Sequence, residues 1–152
     1  MFGRKKRHIT RLLIVEVEPL VAFDNEHALT DAGFEIVGTV DRVAGALAAL
    51  AGEGVIDLVV ADVQLADGSG IDVARAAQEG QVPVLFVTGQ CPAEAQALAT
   101  GCLSKPYAPK DLVAAIQAID AVLDGRKVRK LPPGFTLFKT AEERGAVSRD
   151  IG

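Results

Sequence analysis

Short runs of aliphatic residues alternate along this chain with longer stretches whose apolar positions recur at helical spacing. Leu12-Leu13-Ile14-Val15 is the first apolar run, and its continuity suits a strand buried on both faces. It leads through Glu16-Val17-Glu18 to Pro19, which fits the first turn of a helix because its missing N–H is not needed there. That helix is predicted over Leu20 to Ala32 and is stopped by Gly33. Phe34 to Val40 gives a second strand, and Asp41 is placed as N-cap of a helix from Arg42 to Ala51, ended by Gly52 and Gly54. Leu58-Val59-Val60-Ala61 is a third strand running into Asp62. Asp67-Gly68-Ser69-Gly70 reads as a turn before a helix over Ile71 to Glu79. Val84 to Val87 is a fourth strand running into Thr88-Gly89, with a helix expected from Pro92 to Thr100. Cys102-Leu103-Ser104 is a short fifth strand before Lys105-Pro106, and a last helix over Asp111 to Leu123 closes at Gly125.

Five β/α units in strict alternation imply a parallel sheet covered by helices on both faces, a doubly wound α/β architecture. The 152 residues divide into an extension over 1–10, one domain over 11–124 and a tail over 125–152. In the tail, Phe135, Leu137 and Phe138 follow Leu131-Pro132-Pro133-Gly134. This small apolar cluster is open to three readings: it packs back on the domain, meets a partner, or belongs to a loose tail.

Charge is segregated. Residues 1–11 hold five Lys or Arg and no acid, residues 12–124 hold four against seventeen acids, and residues 125–152 hold seven against three. An acidic body therefore carries two basic ends. No aromatic or glycine pattern of a nucleic-acid reader accompanies them, so they are expected to be solvated or to lie on the body, with no nucleic-acid partner. No apolar run approaches the roughly 20 residues that span a bilayer, and no secretory signal core follows the basic start, so a cytoplasmic protein without a membrane partner is expected. Cys91 and Cys102 fit no metal spacing and are expected to be a surface thiol and a small buried hydrophobe.

In open parallel sheets, ligands bind outside the carboxyl ends of the strands. Here those ends bring four widely separated polar residues together: Glu16, Asp62, Thr88 and Lys105. A carboxylate can attack phosphorus, an ammonium and a hydroxyl can bind phosphoryl oxygens, and a cation held by acids can bridge the two. Each residue alone is weak evidence, since strand-end Asp, Thr and Lys are more often structural or solvated. Their joint placement points to phosphoryl chemistry.

The segments Leu13-Ile14-Val15-Glu16, Val59-Val60-Ala61-Asp62-Val63-Gln64-Leu65 with Gly68-Ser69-Gly70, Val82-Pro83-Val84-Leu85-Phe86-Val87-Thr88-Gly89 and Ser104-Lys105-Pro106-Tyr107 resemble the response-regulator receiver family. The resemblance runs from about Leu12 to Leu123. It implies a CheY-like, flavodoxin-like five-stranded sheet of order 2-1-3-4-5. It also implies phosphorylation of Asp62 by a sensor histidine kinase or histidine phosphotransfer protein, with Thr88 and Lys105 on the phosphoryl oxygens and a cis Lys105–Pro106 bond. Pro83 to Gln90 further resembles the P-F-x-F-A-T-G-Y/G motif of stand-alone receivers, with Val84, Val87 and Gln90 departing from it. The protein is then a phosphoacceptor in a bacterial two-component phosphorelay rather than an enzyme acting on other substrates. It would act on an unidentified downstream protein or as a phosphate sink.

Two departures from the family pattern matter. The family places two adjacent acids after the first strand, but here Val17 follows Glu16 and offers no oxygen. Glu18, one residue on, points roughly as Glu16 does and does not simply replace it. With only Glu16, Asp62 and the Gln64 backbone carbonyl as candidate ligands, Mg²⁺ is expected to be weak or dispensable. The second departure is Cys102, which stands where many receivers carry a switch aromatic. Output is therefore expected to run through Thr88-Gly89-Gln90, while Gln64 and Gln90 orient or block the water that attacks the acyl phosphate. Pro106 and Tyr107 complete the tuning set. His27, Asp57 and Asp67 are assigned surface, turn or cap roles.

The same residues bear on three competing assignments. A pseudo-receiver that binds partners unphosphorylated is favoured by Val17 and opposed by intact Asp62, Thr88 and Lys105. An aspartate-nucleophile phosphatase would need an acid where Gln64 stands, and a flavin binder would need a phosphate cradle where Glu16-Val17-Glu18-Pro19 is acidic. Residues 125–152 are too short and too marked by Pro and Gly for a helix-turn-helix.

Overall fold

The computed structural model describes residues 9–128 and 130–138. The basic run Arg4 to Arg7 and the basic residues beyond 138 lie outside these, and with them most of the expectation about charged ends. The elements in chain order are β1 (Arg11–Val15), α1 (Pro19–Asp31), β2 (Glu35–Val40), α2 (Val43–Ala51), β3 (Leu58–Asp62), β4 (Gln64–Leu65) and β5 (Gly68–Ser69). There follow α3 (Gly70–Glu79), β6 (Val84–Thr88), α4 (Ala95–Leu98), β7 (Gly101–Ser104), α5 (Pro109–Leu123) and β8 (Phe135–Leu137). No described helix is long and apolar enough to cross a membrane.

The main sheet has the order β2-β1-β3-β6-β7-β8. Its first five strands are parallel and reproduce the expected 2-1-3-4-5 arrangement. The strand count differs from expectation. The apolar cluster of the tail packs back as a sixth strand, β8, antiparallel to β7, with Leu103 opposite Phe135 and Gly101 opposite Leu137.

Alternate residues of the central strands face opposite ways, which divides the core into two layers. Leu12, Ile14, Val60, Leu85, Val87 and Leu103 pack with Leu112, Ile116 and Ile119 of α5, and Phe135 joins this layer. Leu13, Val15, Val59, Ala61 and Phe86 pack on the other side against Ala46, Val73, Ala74, Ala77 and Ala95. The strands that carry this load, β3 and β6, are buried along their whole length. The continuous apolar runs of the sequence follow from that two-sided burial.

Three local expectations are corrected. Asp41 does not cap α2: Arg42 takes the N-cap position without a side-chain bond. The capping is done from a distance by Asp67, whose carboxylate accepts from Val43 N at 2.5 Å and Ala44 N at 3.1 Å. Asp67 reaches α2 because residues 64–69 form a small antiparallel hairpin, β4 with β5, where a simple turn was expected. The helix expected over Pro92 to Thr100 is only Ala95–Leu98, its N-cap Glu94 making no capping bond. One turn of helix leaves little regular structure between β6 and β7.

The Val43 and Ala44 amides hold Asp67 below the ordinary aspartate value of 3.8. A group with a lowered folded value stabilises above its unfolded value and ceases to do so as pH falls through the folded one. Asp67→Ala is therefore expected to lower the thermal midpoint at neutral pH. The deficit should shrink as pH drops below 3.8. Melting curves across that range check it, and a deficit independent of pH would assign the loss to packing instead.

Candidate functional site

The four strand-end residues meet at the carboxyl edge of the sheet. Asp62 is the last residue of β3, and its register partner on β6 is Val87, one residue before Thr88. Glu16 follows β1 directly and its amide donates to Val40 O at 2.9 Å, continuing the ladder. Lys105 follows β7, with its amide donating to Thr88 O at 2.9 Å, and the cis Lys105–Pro106 bond comes next, before α5. Below Asp62, α3 approaches so closely that a Cβ on Gly70 would penetrate the Asp62 carbonyl oxygen, so only glycine fits there.

Lys105 is the centre of the constellation. Its Nζ donates to Asp62 Oδ2 at 2.9 Å and to Glu16 Oε2 at 3.1 Å, and it lies 3.5 Å from Glu18 Oε1. Glu16, Asp62 and Thr88 are all buried, at 3%, 7% and 7% exposure, so their charge and polarity must be met from within. Burial raises Glu16 above the ordinary glutamate value, opposed by the Glu18 amide and by Lys105. Burial alone would lower Lys105, but the bonds to Asp62 and Glu16 outweigh it and hold the ammonium charged. The second oxygen of Glu16, Oε1, is buried without a hydrogen-bond partner.

Thr88 donates its hydroxyl to the Gln90 carbonyl at 3.3 Å, so the hydroxyl lies at the mouth of the loop after β6. Gly89 and Gln90 are exposed, and a Cβ on Gly89 would touch nothing within 4 Å. Gln64 is exposed at the start of the hairpin. Cys102 is buried, and its thiol is raised by that burial and by a hydrogen bond with the Cys91 thiol. Cys91 itself is half-buried and packs against the same core layer. Pro106 is exposed, while Tyr107 is half-buried and accepts a bond from Asn25 Nδ2 at 2.8 Å.

Two residues of this region escaped the sequence reading. Glu18 lies in extended backbone just before α1 and points as Glu16 does, in keeping with the expectation, but its ion pair with Lys105 is not legible from the local sequence. Asn25 carried a signal in retrospect: an amide at a position of α1 that turns out to be 2% exposed. Glu18, Val21, Asp24, Asn25, Lys105 and Tyr107 line an open cavity of about 370 Å³ beside the site. Of the remaining assignments, His27 is exposed and meets Phe23 edge to face at 5.0 Å. Asp57 ties down the start of β1 by accepting from the Thr10 and Arg11 amides, each at 2.9 Å.

A nucleophilic carboxylate, a neighbouring ammonium and a hydroxyl on one rim can hold and transfer a phosphoryl group. Comparison with known proteins identifies the family. Residues 12–117 match the family model described as the response regulator receiver domain. The phyllosphere-induced regulator PhyR of Methylorubrum extorquens is 32% identical over 116 residues, covering 70% of this chain and 42% of that protein. The chain thus spans less than half the length of this curated relative. Among solved structures, the chemotaxis response regulator CheY4 of Vibrio cholerae is 27% identical with a TM-score of 0.65, covering 73% of this chain and 98% of that one. The response regulator PhyR of Brucella abortus is 34% identical with a TM-score of 0.64, covering 79% and 51%.

Proposed function

This chain belongs to the response regulator receiver domain family, and from that premise we propose that Asp62 accepts a phosphoryl group from a histidine kinase or a histidine phosphotransfer protein. The observation that carries the proposal is the Lys105 ammonium 2.9 Å from Asp62 Oδ2, at the end of the strand beside Thr88. An Asp62 oxygen attacks the phosphorus of a phosphohistidine, the N–P bond breaks, and the imidazole leaves with the bonding pair. Lys105 and the Thr88 hydroxyl meet the phosphoryl oxygens as charge builds on them. The acyl phosphate then changes what the protein binds in the cytoplasm. One structure of a PhyR protein, from Bartonella quintana, is described as an anti-anti-sigma factor. A protein partner fits the same logic here, whether through the loop Thr88-Gly89-Gln90 or another rim element.

The donor protein must cover the rim to deliver its histidine. Leu20 and Phe23 of α1 are 80% and 57% exposed, an unusual display of large apolar side chains next to the site cavity. They are the anchors we assign to it. Replacing both with Ala is expected to slow transfer from a phosphorylated kinase by at least about tenfold, since fully burying even one such side chain is worth about 1.5–3 kcal/mol. Uptake from a small phosphoryl donor, which needs no docking, should fall far less. An equal fall with both donors would remove α1 from the docking face.

The test of the function itself is intact-mass spectrometry of the full chain after incubation with a phosphorylated histidine kinase, compared with Asp62→Ala. A phosphate adduct that disappears in the variant is expected. No adduct from several competent donors would favour the second reading, an unphosphorylated scaffold, for which Val17 is the supporting residue.

A further inference from the structure

We propose that the Lys105 ammonium, held by Asp62, Glu16 and Glu18, is the resident cation of this site, so that a divalent metal binds weakly and phosphoryl transfer to Asp62 proceeds without it. The inference rests on the phosphoacceptor reading above and concerns how that site is charged.

A divalent cation of the Mg²⁺ type needs near-octahedral oxygen ligands at about 2.0–2.1 Å. Among the described residues no group of three or more His, Cys, Asp or Glu side chains is arranged to hold a metal ion. Val17, at the turn where a second acid would stand, is a half-buried hydrocarbon. The two carboxylates that remain, Asp62 and Glu16, each spend an oxygen on Lys105, at 2.9 and 3.1 Å. A cation between them would sit within a few ångströms of Nζ and be repelled by it. Among the described residues Glu16 Oε1 is the buried side-chain oxygen without a hydrogen-bond partner. With the second oxygen of Asp62 and the Gln64 carbonyl it makes a ligand set one carboxylate short of the family pattern, beside a fixed positive charge.

The charge count explains why the ammonium suffices. Three carboxylates around a metal create mutual repulsion that a divalent ion relieves. Here Val17 removes one of the two acids expected at the turn, and Glu18 sits at the rim, 55% exposed, where water screens it. The buried pair Asp62 and Glu16 then faces a single ammonium that is itself only 19% exposed. When Asp62 becomes an acyl phosphate, the same ammonium can follow the phosphoryl oxygens on its flexible stem.

Two measurements on the full chain test this. The first is a Mg²⁺ titration without any phosphodonor, read by the emission of Tyr107, the single tyrosine of a chain that lacks tryptophan. The second is the rate of phosphate uptake from a small donor in Mg²⁺ and in EDTA, read by intact mass. The native chain is expected to show no saturation at millimolar Mg²⁺ and uptake rates equal within about twofold in the two media. Val17→Asp should saturate at roughly tenfold lower Mg²⁺ and take up phosphate about tenfold faster with the metal than without, since it restores a carboxylate ligand. Val17→Asn supplies an uncharged oxygen at the same position if the charged variant misfolds, and should shift both readings in the same direction. Saturation of the native chain at millimolar Mg²⁺, or a tenfold loss of its uptake in EDTA, overturns the proposal. Absence of uptake in both media with a flat titration would sink the phosphoacceptor reading while leaving the assignment of the cation in place.

Discussion

Lys105→Met is expected to abolish useful phosphate uptake and to destabilise the fold in a way that acid repairs. Methionine keeps the unbranched stem but not the charge. The phosphoryl oxygens lose a charged donor, and removing one such group typically costs about 10²–10³ in rate. Two buried carboxylates, Asp62 and Glu16, also lose the ammonium that both contact. Breaking a buried pair by deleting one partner costs about 3–5 kcal/mol, because the remaining charge stays desolvated. Glu16 is already held above its ordinary value of 4.5 by burial, and without Lys105 it rises further. An acid whose folded value is raised penalises the folded state above that value and not below the unfolded one. The variant should therefore be weakest near neutrality and recover as pH falls toward 4.5, the reverse of ordinary acid denaturation. Urea unfolding of both proteins at neutral and mildly acidic pH decides the matter. A deficit that does not shrink in acid would show that the ion pairs do not set it.

Gly101→Val should detach the last strand. A Cβ at Gly101 falls 2.6 Å from Phe135 Cε1 and 2.8 Å from Thr136 O, and the second of these is backbone that cannot rotate away. Strand β8 is otherwise held by its ladder to β7, by Ser104 N donating to Gly134 O at 2.9 Å and by Phe138 N donating to Thr100 O at 2.9 Å. Its main apolar contribution is Phe135, 7% exposed in the layer under α5. Losing that burial is expected to cost about 2–4 kcal/mol, close to the cost of truncating a core phenylalanine. Hydrogen exchange should show the amides of residues 135–138 open while β1, β3 and β6 stay protected. Unchanged unfolding free energy with protected strand amides would mean that the sheet edge tolerates the side chain by shifting as a unit.

The sequence was most legible where one force dominates. Two-sided burial wrote β1, β3 and β6 as continuous apolar runs, and the polar residues just beyond them marked the rim where Glu16, Asp62, Thr88 and Lys105 meet. What escaped involves contacts between distant segments. Asp41 has the right chemistry for capping α2, but Asp67 wins because the hairpin carries its carboxylate to the helix start. Glu18 does lie in extended backbone and points as Glu16 does, as expected; what the local spacing does not show is that a distant strand brings Lys105 within reach of both. The tail cluster was undecided, since three apolar residues after two prolines fit several outcomes until a glycine notch on β7 receives one of them. The helix α4 is shorter than its Ala-rich composition suggests, because the chain from Pro92 closes i→i−3 turns and beyond Leu98 extends so that Thr100 N reaches Val84 O.

The same strand bears on how the protein can be shortened. The family match stops at residue 117, inside α5, six residues before that helix ends. A polypeptide trimmed there, or even at Gly125, would leave β7 with a bare row of amides and carbonyls beside the apolar hollow vacated by Phe135. Such a border is a template for strand pairing between molecules, and trimmed preparations should precipitate or form higher oligomers where the intact chain does not.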